Sequence, residues 1–318
     1  MLRVLFAGSP QAAKITLEKL LECAKECDYQ IVGVLSNPPS AKGRHKELTP
    51  TPVAEFAMQN NIPVFTPEHL DSACREQISQ INPDVLVCFA YGHIFGPKFM
   101  SLFKFGGINL HPSFLPKYRG CTPVPAAILN RDSQTAITVQ TISQKMDEGE
   151  LLTQEIVELN GTETGESLLN YCADAGADLI SIVLDQIAME QKVPAGMPQV
   201  GTPSYTKIIT KEDGKINWDD SALKIEAMVR AYFPSPSAWC LENDLPLKIN
   251  SSCVYNGTYE CDDKPNGTVL DFVKSEGILI KTGDGILCVK ELQRQGKKSM
   301  FYKDFMNGAR DFVGTVLK

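Results

Sequence analysis

The sequence has no Cys-x-x-Cys pair, no G-x-G-x-x-G and no Walker-type lysine loop. Its ten cysteines (Cys23, Cys27, Cys74, Cys88, Cys121, Cys172, Cys240, Cys253, Cys261 and Cys288) stand singly, without a histidine at zinc spacing. Reduced structural thiols and no metal are therefore expected. The first strand-to-helix turn, "FAGSPQAA", carries only Gly8. A dinucleotide pyrophosphate needs several glycines to approach the backbone there, so a nicotinamide-dependent oxidoreductase is disfavoured. No apolar run approaches the roughly 20 residues that cross a bilayer. The opening "MLRVLFAG" reads at once as a buried strand, with no room before it for a signal or transit peptide, so a cytoplasmic protein with no membrane association is expected. A basic excess is also missing. The net charge of −7 argues against indiscriminate nucleic-acid binding over the whole surface.

What is present is an ordinary globular composition, 43% hydrophobic and 22% charged, over 318 residues. That length favours two domains. The first half alternates strands ("RVLFAG", "YQIVGVLSN", "DVLVCFAYG", "FGGINLHPS") with helical periodicity ("QAAKITLEKLLECAKE", "PTPVAEFAMQNN", "PVPAAILNRD"), followed by a hairpin, "TAITVQTI" and "ELLTQEIVEL". This pattern predicts a mainly parallel, Rossmann-like α/β sheet covered on both faces. A long amphipathic helix, with Thr164 or Glu163 near its cap, closes a domain spanning 1–190. Residues 191–208, rich in Pro, Gly and Ser, read as a linker. In 209–318, short strands separated by "NG", "SEG" and "GDG" predict a small OB-like β-barrel.

The chemistry concentrates in "GINLHPSFLPKYRG". Asn109 and His111 are two apart at the end of a strand and so face one side. They sit where open parallel sheets bind ligands. Pro112 and Pro116 stiffen the loop that follows. Asp147, in the polar turn "SQKMDEGELL", is the candidate partner for the imidazole. An amide, an imidazole and a carboxylate suit attack on an amide-like carbonyl. The amide donates to the developing oxyanion and the supported imidazole manages a proton. Ser113 lacks a nucleophile elbow, so direct transfer is favoured over a covalent intermediate.

"NLHPSFLPKYRG", the "AYG" at Tyr91 and Gly92, and "MDEGELL" resemble the signature of folate-dependent formyltransferases. "RVLFAGSP", "GRHKELTPTPVAEFA", "YTKIITKEDGKINWD" and "TGDGILCVKELQRQGKK" extend the resemblance over nearly the whole chain, toward the branch that acts on charged initiator tRNA. The resemblance implies a monomeric transferase that moves a formyl group from 10-formyltetrahydrofolate to the α-amine of initiator methionyl-tRNA. It implies Asn109, His111 and Asp147 as catalytic residues, with the ring of His111 sharing the oxyanion with Asn109 and relaying protons with water. It assigns Tyr91, Gly92, Ser113, Phe114, Leu115 and Pro116 to the folate, and Arg44, with Lys42 and Lys46, to the tRNA. A basic loop and a basic tail beyond Lys290 fit salt-dependent phosphate contacts on an otherwise acidic body. Pro112 stands where many members of the tRNA branch have Gly, and Phe114 where Leu is usual. A sugar-amine formyltransferase or a formyltetrahydrofolate hydrolase on the same scaffold is the alternative, and a tRNA-binding module without activity is a third reading.

Overall fold

The computed structural model describes residues 1–42, 47–261, 263–309 and 311–318. The chain divides into two compact units, one of residues 1–123, 134–158 and 169–207, the other of 124–133, 159–168 and 208–318. Arg44 and Lys46 lie outside the described residues, as does the side chain of Lys42.

In chain order the first half runs β1 (Leu2–Ala7), α1 (Gln11–Cys23), β2 (Tyr29–Leu35), β3 (Ser40–Lys42), β4 (Glu47–Thr49), α2 (Pro52–Gln59), β5 (Val64–Phe65), α3 (Ser72–Ser79), β6 (Val85–Cys88), α4 (Pro97–Met100), β7 (Gly107–His111), β8 (Arg119–Gly120), α5 (Pro123–Leu129), β9 (Gln134–Thr141), β10 (Leu151–Glu158), α6 (Gly165–Glu190) and β11 (Tyr205–Thr206). Seven strands form one sheet in the order β10-β9-β7-β6-β1-β2-β5. Pairing is parallel from β7 to β5, and the expected β9–β10 hairpin adds two antiparallel strands at one edge. β6 is buried along its whole length, as a continuous apolar strand at the sheet centre should be. Its Leu86 joins Leu5, Leu35, Ile78 and the rings of Tyr91, Phe95, Phe99 and Phe103 in the core. Parallel pairing brings the carboxyl ends of β1, β6 and β7 to one edge, so the lone Gly8 and the Asn109–His111 pair emerge together.

Local chemistry explains the element ends. Thr51 accepts the Ala54 N–H and Pro52 occupies the first turn of α2. Thr164 and Ser167 bond reciprocally through their side chains at the start of α6, which makes Thr164 the cap. Gly8 is required by packing: a Cβ there would lie 2.7 Å from that of Ala13 and 2.8 Å from the Phe89 carbonyl. α6 is the one described helix long and apolar enough to cross a membrane, with mean hydropathy 1.2, but 56% of that stretch is buried inside the protein.

Of residues 191–208, expected as a linker, 191–207 group with the first unit. Met197 exchanges backbone hydrogen bonds with Leu151, and β11 pairs in parallel with β8. Composition reported the lack of local periodicity correctly. The partners of this stretch are distant in sequence, and that was not visible locally. The short α3 and α4, and the β8–β11 pair, likewise carry no strong local pattern.

The second unit contains α7 (Ala222–Ala231), β12 (Ala238–Glu242), β13 (Leu245–Val254), β14 (Val269–Val273), β15 (Gly277–Lys281), β16 (Ile286–Arg294), β17 (Met300–Phe301) and α8 (Tyr302–Asn307). Its antiparallel sheet runs β12-β13-β16-β15-β14, with β17 on β16. The strands read from the sequence are all present. Among the described residues no β12–β14 ladder closes them into a full barrel. Trp218, Ile225, Val229, Leu247, Ile280 and Leu292 are among the residues that fill the core of this unit.

Candidate active site

β7 delivers Asn109 and His111 to the carboxyl edge, and its antiparallel partner β9 sets Gln140 opposite Asn109 and Thr138 opposite His111. The turn between β9 and β10 brings Asp147, at φ 53°, a left-handed conformation that aspartate tolerates better than most residues. Gly149 closes this turn so tightly that a Cβ would overlap the Thr141 carbonyl.

His111 is buried, at 4% exposure. Its Nε2 lies 2.9 Å from the carbonyl oxygen of Tyr118. A carbonyl only accepts, so Nε2 carries a proton. Nδ1 stands 3.6 Å from Asp147 Oδ1. Burial lowers the pKa of His111 below the usual imidazole value, against the opposing pulls of Asp147 and the Tyr118 carbonyl. The ring is therefore neutral near pH 7, and its Nδ1 lone pair faces a carboxylate. Asp147 is itself held from other sides: the Gly120 N–H donates to Oδ2 at 2.7 Å and Gln140 Nε2 to Oδ1 at 3.1 Å. Both ring nitrogens of His111 thus have partners other than substrate. The Asn109 side-chain amide has no hydrogen-bond partner among the described residues, which leaves its N–H to meet an incoming oxygen.

Toward the amino end of β7, Gly107 and Thr141–Gln144 border a cavity of about 540 Å³, which none of Asn109, His111 and Asp147 lines. Phe95, Met100, Phe105 and Ile142 give it apolar walls, and Ser143, Gln144 and Glu150 give it polar groups. Gly107 keeps it open, because a Cβ there would press on Ile142 and Met100.

The other expected site residues are distributed differently. The ring of Tyr91 sits in the core, and its carbonyl accepts from Asn37 at 3.3 Å. Gly92, at φ 86°, makes the turn that follows. Ser113 is fully buried and donates to the Lys117 carbonyl at 2.7 Å, which braces the loop. Leu115 and Pro116 are buried, and of these four loop residues only Phe114 is exposed. None of the six lines the cavity. The sequence reading missed Gln140, Arg119 and Gln199. Gln140 had a signal, a long polar side chain in the apolar and β-branched run that follows Gln134 in β9; Gln199 had none beyond its place in a non-periodic stretch.

A Rossmann-like sheet that carries an imidazole 3.6 Å from a carboxylate at its carboxyl edge is the frame of a transferase. The chain belongs to the formyl transferase family: residues 2–184 match the formyl transferase model and 208–310 its C-terminal domain. Among curated relatives, the methionyl-tRNA formyltransferase of Treponema denticola is 42% identical, with 98% of each chain covered. That of Treponema pallidum is 39% identical, with 97% of each covered. Among solved structures, the sugar 3N-formyl transferase WlaRD, crystallised in the presence of dTDP and 5-N-formyl-THF, aligns with a TM-score of 0.64 at 20% identity. It covers 94% of this chain and 99% of its own, a likeness of fold.

Proposed function

We propose that this chain transfers the formyl group of 10-formyltetrahydrofolate to the α-amino group of methionine esterified to initiator tRNA, in the cytoplasm. The observation that carries the reading is the convergence of Asn109, His111 and Asp147 from β7 and a separate turn. Full-length similarity to relatives named for this acceptor supports the choice of tRNA. The roughly 540 Å³ cavity supports the folate, because its apolar walls and polar groups suit a flat fused heterocycle bearing N–H donors.

The formyl donor supplies an activated one-carbon carbonyl. Asn109 donates an N–H to its oxygen as negative charge builds there, a contact worth about 3 kcal/mol in comparable sites. The neutral His111 ring, with its Nδ1 lone pair turned to Asp147, forms with that carboxylate a two-acceptor pair with room for one proton. The pair takes the proton that the attacking amine must lose and returns it toward the departing nitrogen, with water completing the path. The Tyr118 carbonyl and the Gly120 N–H hold the two partners in register. Arg44, with Lys42 and Lys46, meets the acceptor end of the tRNA through phosphate contacts.

The test is transfer of labelled formyl from 10-formyltetrahydrofolate to methionyl-tRNA by the purified chain. Stable N-formylmethionyl-tRNA is expected. Formate release without tRNA, or formylation of a nucleotide-linked amino sugar in its place, would overturn the acceptor assignment.

A further inference from the structure

Arg119 is buried and made of donors only. Its Nε and Nη2 donate to Gln199 Oε1 at 3.1 and 2.7 Å, and its Nη1 reaches Glu148 Oε1 at 3.1 Å and the hydroxyl of Tyr205 at 2.9 Å. A guanidinium cannot accept, so the oxygen of the Gln199 amide must face it and the NH2 must face away. There the NH2 meets only acceptors: the carbonyls of Asp147 at 2.8 Å and Gly149 at 2.9 Å, and Gln140 Oε1 at 3.1 Å. That last contact fixes the second amide in turn. With its oxygen bonded to Gln199, Gln140 must present its NH2 to Asp147 Oδ1. The direction of every bond in the chain Arg119, Gln199, Gln140, Asp147 is set at its cationic end. Flipping either amide would put oxygen against oxygen.

We propose that Gln199 is a positioning residue for the formyl transfer: oriented by Arg119, it clamps the 147–149 turn and holds the donor face of Gln140 on Asp147, so that the carboxylate keeps its N–H donor and stays aimed at His111. The role rests on the assignment of His111 and Asp147 as the proton-handling pair. It gives residues 191–207 a task in the chemistry, since the segment carries Gln199 back to the turn that bears the carboxylate. The other titratable groups around the pair do not mimic this effect. Burial pushes the Cys88 thiol on β6 up to about 12, and it stays neutral. Glu148 is paired with Arg119 and lies within reach of Lys145. Tyr205 donates to Glu148 at 3.2 Å.

Three variants of the full chain test the proposal. Gln199→Leu removes both ends of the amide. Gln199→Glu keeps the partner of Arg119 but offers an acceptor to the two carbonyls of the turn and to Gln140 Oε1. Gln140→Glu leaves Gln199 in place and replaces the donor on Asp147. In each, kcat should fall at least roughly tenfold while KM for the formyl donor stays within about twofold, because the lost contacts lie at the proton pair and not at the cavity. The acid limb of the rate profile should move to higher pH, since a carboxylate that loses an N–H donor leaves more of its negative charge to hold a proton on His111. The imidazole titration of His111, followed by NMR without substrates and assigned against His111→Gln, should move the same way. That reading needs no reaction. If the wild-type chain formylates no charged tRNA, the acceptor assignment fails while the titration still decides the role of Gln199. A folded Gln199→Glu or Gln140→Glu protein with wild-type titration and rate overturns the proposal. A loss confined to KM for the formyl donor overturns it too.

Discussion

The Nδ1 lone pair of His111 faces Asp147 Oδ1 across 3.6 Å, in a ring whose other nitrogen donates to the Tyr118 carbonyl. Two acceptors held this close share a space that one proton would fill. The site thus has a place for the proton of the attacking amine before any substrate arrives.

Removing either partner empties that place. His111→Ala and Asp147→Asn should each lower kcat by about 10²- to 10⁴-fold with the fold retained, measured by single-turnover formyl transfer beside circular dichroism. Near wild-type rates in both folded variants would refute the pair.

Asn109 acts on the oxygen, so its loss should look different. Asn109→Ala should reduce kcat by about 10²- to 10³-fold and leave KM for both substrates nearly unchanged, the signature of a contact made chiefly in the transition state. A variant impaired only in KM would place the amide in ground-state binding.

The dependence on pH follows from burial. Because the folded His111 holds its proton less tightly than the ordinary value of 6.5, the unfolded chain protonates first as pH falls. This group therefore leaves stability unchanged above 6.5 and erodes it below, until the folded pKa is passed. The rate should likewise persist through 6.5 and fail only in more acid solution. Urea titrations at roughly pH 5.5 and 7.5, with the kcat/KM profile, check both points. An acid limb centred at or above 6.5 would contradict the environment described for the ring.

The cavity makes a separate claim. Ile142→Trp should fill part of it and raise KM for the formyl donor by roughly tenfold, with a smaller effect on kcat and none on KM for charged tRNA. Unchanged donor affinity would mean that the donor binds elsewhere.

For the acceptor side, Arg44→Ala should weaken use of charged tRNA more than donor binding, and the difference should shrink at high salt. Equal loss of both would place this arginine with the folate.

How much could be read in advance depended on how local each signal was. The alternation of strands and helices is written in periodicity, and Asn109 and His111 are two apart on one strand, so their shared direction follows from the pleat. Thr51 and Thr164 cap their helices through contacts three residues away. Asp147 could be named as a candidate from its polar turn, but its distance to the ring could not. Ser113 and Leu115 were named by resemblance alone; their burial, and the bond by which Ser113 braces the loop, became visible only in the fold. The cavity needed side chains from segments that no window of sequence joins.

Gln199 marks the limit most clearly. Nothing near it in the chain explains a glutamine, and its stretch has the texture of a tether. It becomes intelligible when Arg119 lies on one side and the Asp147 turn on the other, at sequence separations of 80 and 52 residues. The sequence alone determined the sheet, its topology class and the three catalytic candidates, because period, caps and turn residues act over a few positions. Tertiary structure decided which carboxylate meets the imidazole, which tautomer the ring adopts and which way each amide points. Those choices are settled by donors and acceptors that share no neighbourhood until the chain has folded.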